Sequence, residues 1–143
     1  MINSSANVKN KIIDNLKREL DINKLTCIAA KEQVAFTHNS RGVKPVIEFW
    51  SKEFLNDAII VDKVIGKASA LFMAASSAKH IHGVVMSQLA AEFLEKSGVS
   101  YSADTIVPKI VNRAGDGLCP MESAVADVES LEEGIDILLE KNR

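Results

Sequence analysis

AIIVDKVIGKASALFMAASSAKHIHGVVMSQLAAEFLEKSG, residues 58–98, alternates two kinds of apolar pattern. AIIVD at 58–62 and HGVVM at 82–86 are short, nearly continuous apolar runs, whereas GKASALFMAASSA at 66–78 and SQLAAEFLEKSG at 87–98 read as helices. A strand covered on both faces carries an unbroken apolar run, and such strands separated by helices form a parallel sheet. A less regular strand within 101–107 completes a β-α-β-α-β unit, and Gly98 stands where a helix C′ residue belongs.

Upstream of this centre, residues 25–30 and 33–38 read as two strands joined by Lys31-Glu32. A hairpin is expected, although Lys-Glu is not a favoured two-residue turn. NSRG at 39–42 interrupts the pattern; Val43, Ile47, Trp50 and Phe54 then recur at helical spacing, with Pro45 tolerated in the first turn. Val8, Ile12, Leu16 and Leu20 mark one face of an N-terminal helix. SLEE at 130–133 is a capping box opening a last helix with Leu131, Ile135, Leu138 and Leu139 on one side. A hairpin joined to parallel crossovers predicts an α/β fold, a three-layer α/β/α arrangement around a mixed five-stranded sheet. It is read as one domain over 1–143, with the N-terminal helix in 1–22 and the core and C-terminal helix in 23–143. Ligands of such sheets sit beyond the carboxyl ends of the strands.

Seventeen basic and nineteen acidic residues among 143 leave a formal charge of −2, with no basic cluster and only 5% aromatic residues. That balance argues against nucleic acid as the main partner. No apolar run approaches the ~20 residues of a membrane span, and MINSSANVKNKIIDNLKREL is too polar for a signal peptide. Cys27 and Cys119 lie far apart and suggest reduced thiols rather than a disulfide framework, so a soluble cytoplasmic protein is expected.

Two stretches carry candidate chemistry. In VDKVIGKAS at 61–69 a buried strand ends at Asp62 and a helix starts near Gly66, whose N–H groups, with Lys63 and Lys67, are suited to an anion. The resemblance to a P-loop fails, because Val61 replaces the first glycine and Ala68 follows the lysine. The plainer alternative makes Asp62 a helix cap and the lysines solvated ends. In NRAGDGLCPMES at 112–123, Cys119 at N-cap, Pro120 at N1 and Glu122 at N3 form a helix start, the glutamate reaching back to the N-cap N–H. Cysteine caps poorly, however, and a helix N-terminus favours a reactive thiolate, so Cys119 is read as both cap and site residue. Asn112 and Arg113 add polar groups to the preceding loop. His80 and His82 share a strand face without a zinc-ligand spacing and are read as surface or structural residues, as is His38.

SRGVKP, VDKVIGKASA and NRAGDGLCPME, in this order of elements over roughly residues 20–140, resemble a small bacterial and archaeal family catalogued as domain of unknown function number eighteen ninety-three. The resemblance implies a cytidine-deaminase-like fold, with the hairpin antiparallel to three parallel strands. It does not bring the deaminase metal: zinc deaminases need H-x-E or C-x-E and then P-C-x-x-C, while the corresponding helices here begin GVKPVIE and DKVIGKA. The expectation is therefore a site without metal or cofactor that takes a small anionic metabolite, nucleotide-related by analogy of fold alone. Arg41, Lys63, Gly66, Lys67, Asn112 and Arg113 are its expected binding residues. Cys119 is the expected nucleophile if the site is catalytic, with Glu122 or Asp62 carrying the proton. The competing reading is a structural or interaction protein with a vestigial cleft, whose sheet or helices mediate self-assembly into a homo-oligomer.

Overall fold

The computed structural model describes residues 4–112 and 114–143. The elements are α1 (Ser4–Ile22), β1 (Cys27–Ala30), β2 (Ala35–His38), α2 (Lys44–Ser51), β3 (Ile59–Ile65), α3 (Lys67–Ala75), β4 (His80–Ser87), α4 (Gln88–Ser97), β5 (Tyr101–Val107), α5 (Pro120–Val125) and α6 (Leu131–Lys141). They build the expected α/β fold around an open mixed sheet of order β2-β1-β3-β4-β5. β1 runs antiparallel to β2 and β3, and β3, β4 and β5 run parallel. Among the described residues no helix is long and apolar enough to cross a membrane.

The hairpin differs from the expectation at its turn. Lys31 N–H donates to Val34 O at 2.8 Å and Ala30 pairs with Ala35, so the loop is 31–34 rather than Lys31-Glu32 alone. A two-residue turn of the favoured type requires left-handed backbone, which neither Lys nor Glu supplies cheaply, and the longer loop relieves that.

α1 covers one face of the sheet, packing Ile13, Leu16 and Leu20 on Ile28 and Val61, while Val8 at its beginning stays exposed. The larger cluster fills the other face, where Ala29, Ile60 and Ile81 meet Phe49, Leu71, Phe72, Leu94 and Leu138. α3 is buried from Lys67 to Met73, as an apolar helix must be when covered all round. α6 packs against it. Gly134 makes that approach close, since a Cβ there would lie 2.7 Å from Leu71 Cδ1. Gly98 adopts φ +72° as expected of a C′ residue, and of the expected capping box the Ser130 half is formed, its Oγ accepting from Glu133 N–H at 3.3 Å.

His80 and His82 lie buried on the face that carries α1. Ser100 Oγ meets His80 Nδ1 at 2.6 Å, Ser102 Oγ joins His80 Nε2 to His82 Nδ1 at 2.7 Å each, and Lys17 of α1 pairs with Asp104 at 2.8 Å. His82 Nε2 is 3.2 Å from Asp104 Oδ1, within ion-pair range but out of hydrogen-bond alignment. One proton per hydroxyl orients this chain. With Nε2–H of His82 toward the carboxylate, Ser102 donates to His82 and accepts from His80, which accepts from Ser100. Both imidazoles are thus neutral. Burial, then Lys9 and His82, hold His80 down to about 4, and burial outweighs Asp104 in lowering His82. Because the folded pKa lies below the unfolded value of 6.5, this contribution is complete above pH 6.5 and is lost as pH falls toward 4. His80→Gln is expected to flatten that loss. In urea titrations the stability advantage of the wild type over the variant should shrink by about 2 kcal/mol between pH 7 and 4.5; a constant advantage would place both rings outside the pH response.

Candidate functional site

A cavity of about 860 Å³ opens beyond the carboxyl end of β3, between the loop after β2, the start of α3 and the segment leading into α5. Its floor consists of buried residues, Cys27, Asp62, Ala68, Ser69 and Glu122, and its rim of exposed ones, Arg41, Val64, Val111 and Pro120.

Asp62 ends up here because β3 carries it inside the sheet, opposite Cys27 of β1. Lys63 N–H donates to Thr26 O at 2.9 Å, which makes Cys27 and Asp62 a non-hydrogen-bonded pair, the type whose side chains stand closest. Asp62 Oδ1 accepts from Val64 N–H at 3.2 Å, too little to offset the loss of water. Burial therefore raises the carboxyl to about 7, against the lesser pull of Val64 N–H and of the neighbouring Cys27 and Lys63. Burial first, and then the charge of Asp62, push the Cys27 thiol well above its ordinary range.

Glu122 changes the expected anion site. Its Oε1 accepts from Lys67 N–H and its Oε2 from Ala68 N–H, each at 2.8 Å, so the N-terminus of α3 is already capped by the chain's own carboxylate. Gly66 permits this: a Cβ there would lie 2.4 Å from the Glu122 carboxyl group. The expected reach of Glu122 back to the N–H of Cys119 is not made, because that N–H donates to Ile110 O at 3.1 Å. Lys67 also turns away, its Nζ donating to Ala126 O at 3.1 Å and Val128 O at 2.5 Å just past α5. There it satisfies carbonyls at a helix end, a usual place for a cation.

Of the other expected binding residues, Arg41 stands exposed at the mouth. Lys63 borders the cavity and is half-buried, without an ion pair to Asp62. Asn112 is occupied within its own loop. Its Oδ1 accepts from Gly115 N–H at 2.8 Å and Asp116 N–H at 3.3 Å, and its Nδ2 donates to Asp116 Oδ1 at 3.0 Å. Gly115 at φ +77° and the Val111–Leu118 bridge complete a tight hairpin. Arg113 lies outside the described residues. Among the described residues the site is thus less cationic than its sequence suggests. Cys119 begins α5 without a side-chain cap bond and is half-buried at the cavity wall. Among the described residues no group of three His, Cys, Asp or Glu is placed to hold a metal ion.

Cys27 is the site residue that reading along the chain passes over. An apolar strand run looks like core, and only the pairing of β1 with β3 puts the thiol beside Asp62. Cys27 is 1% exposed with its thiol pushed up, whereas Cys119 is partly accessible. Iodoacetamide at pH 8 is expected to modify Cys119 at least tenfold faster than Cys27, resolved by peptide mass. Equal rates would mean that the floor of the cleft opens readily.

The search of curated proteins finds no match. Among solved structures, the crystal structure of a DUF1893 family protein from Thermotoga maritima is similar at 30% identity, with a TM-score of 0.85, covering 92% of this chain and 90% of that one. The family model described as a domain of unknown function (DUF1893) matches residues 15–141, and the chain belongs to that family.

Proposed function

We propose that this protein binds, and transforms by proton transfer, a small metabolite held in the cleft at the carboxyl end of β3. The observation that carries this reading is Asp62, a buried carboxyl on the floor of a ligand-sized cavity, held to about 7. Among the described residues no cation forms an ion pair with Asp62, and a buried ionisable group without such a partner works against folding. A group that is half protonated near neutral pH is suited to give and take protons. Arg41 at the mouth is the natural partner for an anionic group of the ligand, and the apolar walls of Val43, Pro45, Ile110 and Met121 receive its body. Cys119 offers the accessible thiol for any covalent step, and Asp62 carries the proton.

The strand order, with a hairpin antiparallel to three parallel strands, supports a cytidine-deaminase-like scaffold, whose reaction centre lies at this end of the sheet. In our reading the metal ligands are replaced, the Asp62–Cys27 pair standing at the floor and Glu122 closing the start of α3. Elemental analysis of gently purified protein is expected to find far less than one zinc per chain.

A panel of carboxylate and phosphate metabolites, nucleoside monophosphates included, tests this reading by thermal shift at pH 7. A ligand at 100 times its dissociation constant adds about 2.7 kcal/mol. Its affinity should fall at least tenfold in both Arg41→Ala and Asp62→Asn. No shift from any compound, or a shift indifferent to both variants, contradicts it. A second reading rests on Val64, Ile106 and Val111, exposed at 45%, 53% and 48% toward the carboxyl end of the sheet. Those side chains favour a self-association surface, which sedimentation at rising concentration would reveal as a dimer.

A further inference from the structure

The floor of the cleft holds a second functional group besides Asp62. Cys27 and Asp62 face each other as a close, non-hydrogen-bonded pair of β1 and β3; both are buried and both border the cavity. Around the carboxylate, Val64 contributes a backbone N–H group, whose position is set by the strand, while the N–H of Lys63 is spent on Thr26 O. The thiol of Cys27, directly opposite Asp62 across the strand pair, is the side-chain group placed to donate to it. Among the described residues, the charged groups that border the same space do not take its place. Arg41 stands at the exposed rim, and among the described residues no lysine or arginine forms an ion pair with Asp62. Lys67 is drawn to the carbonyls of Ala126 and Val128, and Glu122 is tied to the N–H groups of α3. β4 places only Gly83 opposite Asp62.

We propose that Cys27 is a positioning residue of this site: its S–H donates to Asp62, orients the carboxyl group toward the cavity and sets the pH at which it exchanges its proton with a ligand. The thiol acts here as a neutral hydrogen-bond donor and not as a nucleophile. Its own proton is held tightly by burial and by the neighbouring carboxylate, so no bond to sulfur forms in the cycle. Asp62 takes one proton from the ligand, or gives one to it, and regains its starting state by the reverse exchange with solvent. The proposal rests on the reading of Asp62 as the acid–base group of the cleft, and adds which side chain governs it. It also predicts the residue types that serve. Serine at this position keeps a donor, and a stronger one, while alanine removes it.

The test follows the Asp62 carboxyl carbon by NMR titration in the unliganded protein, assigned by its loss in Asp62→Asn. Cys27→Ala is expected to move the midpoint up by about one pH unit, because the charged form loses a donor; Cys27→Ser is expected to leave it at or below that of the wild type. The pH profile of ligand affinity should shift with it. Unchanged midpoints in both folded variants overturn the proposal and leave Cys27 as core packing. If the alanine variant does not fold, the serine variant alone decides, since a midpoint above that of the wild type contradicts a donor role. A wild-type midpoint near 4 defeats the reading of Asp62 itself, whereas a midpoint near 7 that ignores Cys27 defeats only this inference.

Discussion

Asp62→Asn is expected to make the protein more stable at pH 8, by about 3 kcal/mol in urea denaturation, and the gain should vanish near pH 4. The sign follows from a carboxyl raised from 3.8 to about 7 on folding. Between these values the folded chain binds more protons than the unfolded one, so stability falls as pH rises through the window and is lowest above 7. An amide removes the buried charge, keeps an oxygen for Val64 N–H and changes the volume little. Full conversion of the shift gives about 4 kcal/mol, and imperfect fit of the amide against the Cys27 thiol offsets part of it. A variant no more stable than the wild type at pH 8 would mean that Asp62 is well solvated or paired. A group that costs the fold this much is what a site would retain and a scaffold would not.

Glu122→Ala is expected to act in the opposite direction, destabilising by about 3 kcal/mol at pH 7, because two buried N–H groups of α3 lose a charge-assisted acceptor. Glu122→Gln, which keeps one acceptor, should recover about half of this. Gly66→Ala tests the same contact from the other side, since its Cβ would occupy the space of the carboxyl group. The double variant Gly66→Ala/Glu122→Ala should therefore cost much less than the sum of the two single changes. Additive losses would show that Gly66 and Glu122 act independently and that the cap is not what joins α5 to α3.

The order of elements was legible because both periodicities are strong. The apolar runs around Ile60 and Val84 are covered on both faces, and the helices between them carry their caps at Gly98 and Ser130. What could be read of the site was its place and part of its membership: Asp62, Arg41, Cys119 and Glu122 all border the cavity. Their roles were less legible, because roles depend on contacts between residues far apart in the chain. Glu122 looked like a local partner of Cys119, but it caps a helix that begins 55 residues earlier. Lys67 looked like an anion ligand because it follows a glycine at a helix start, a local cue that says nothing about the carbonyls waiting past α5. Asn112 looked free, whereas its amide holds the turn around Gly115. Cys27 had no local signal at all, since its meaning comes from the register of β1 against β3.

The central claim is that the cleft contains a carboxyl group poised to exchange protons at neutral pH. The most direct measurement is the titration of the Asp62 carboxyl carbon in the intact wild-type protein, followed by NMR from pH 4 to 9. A midpoint near 7 is the predicted result, and a midpoint below 5, the range of an ordinary aspartate, would contradict the claim.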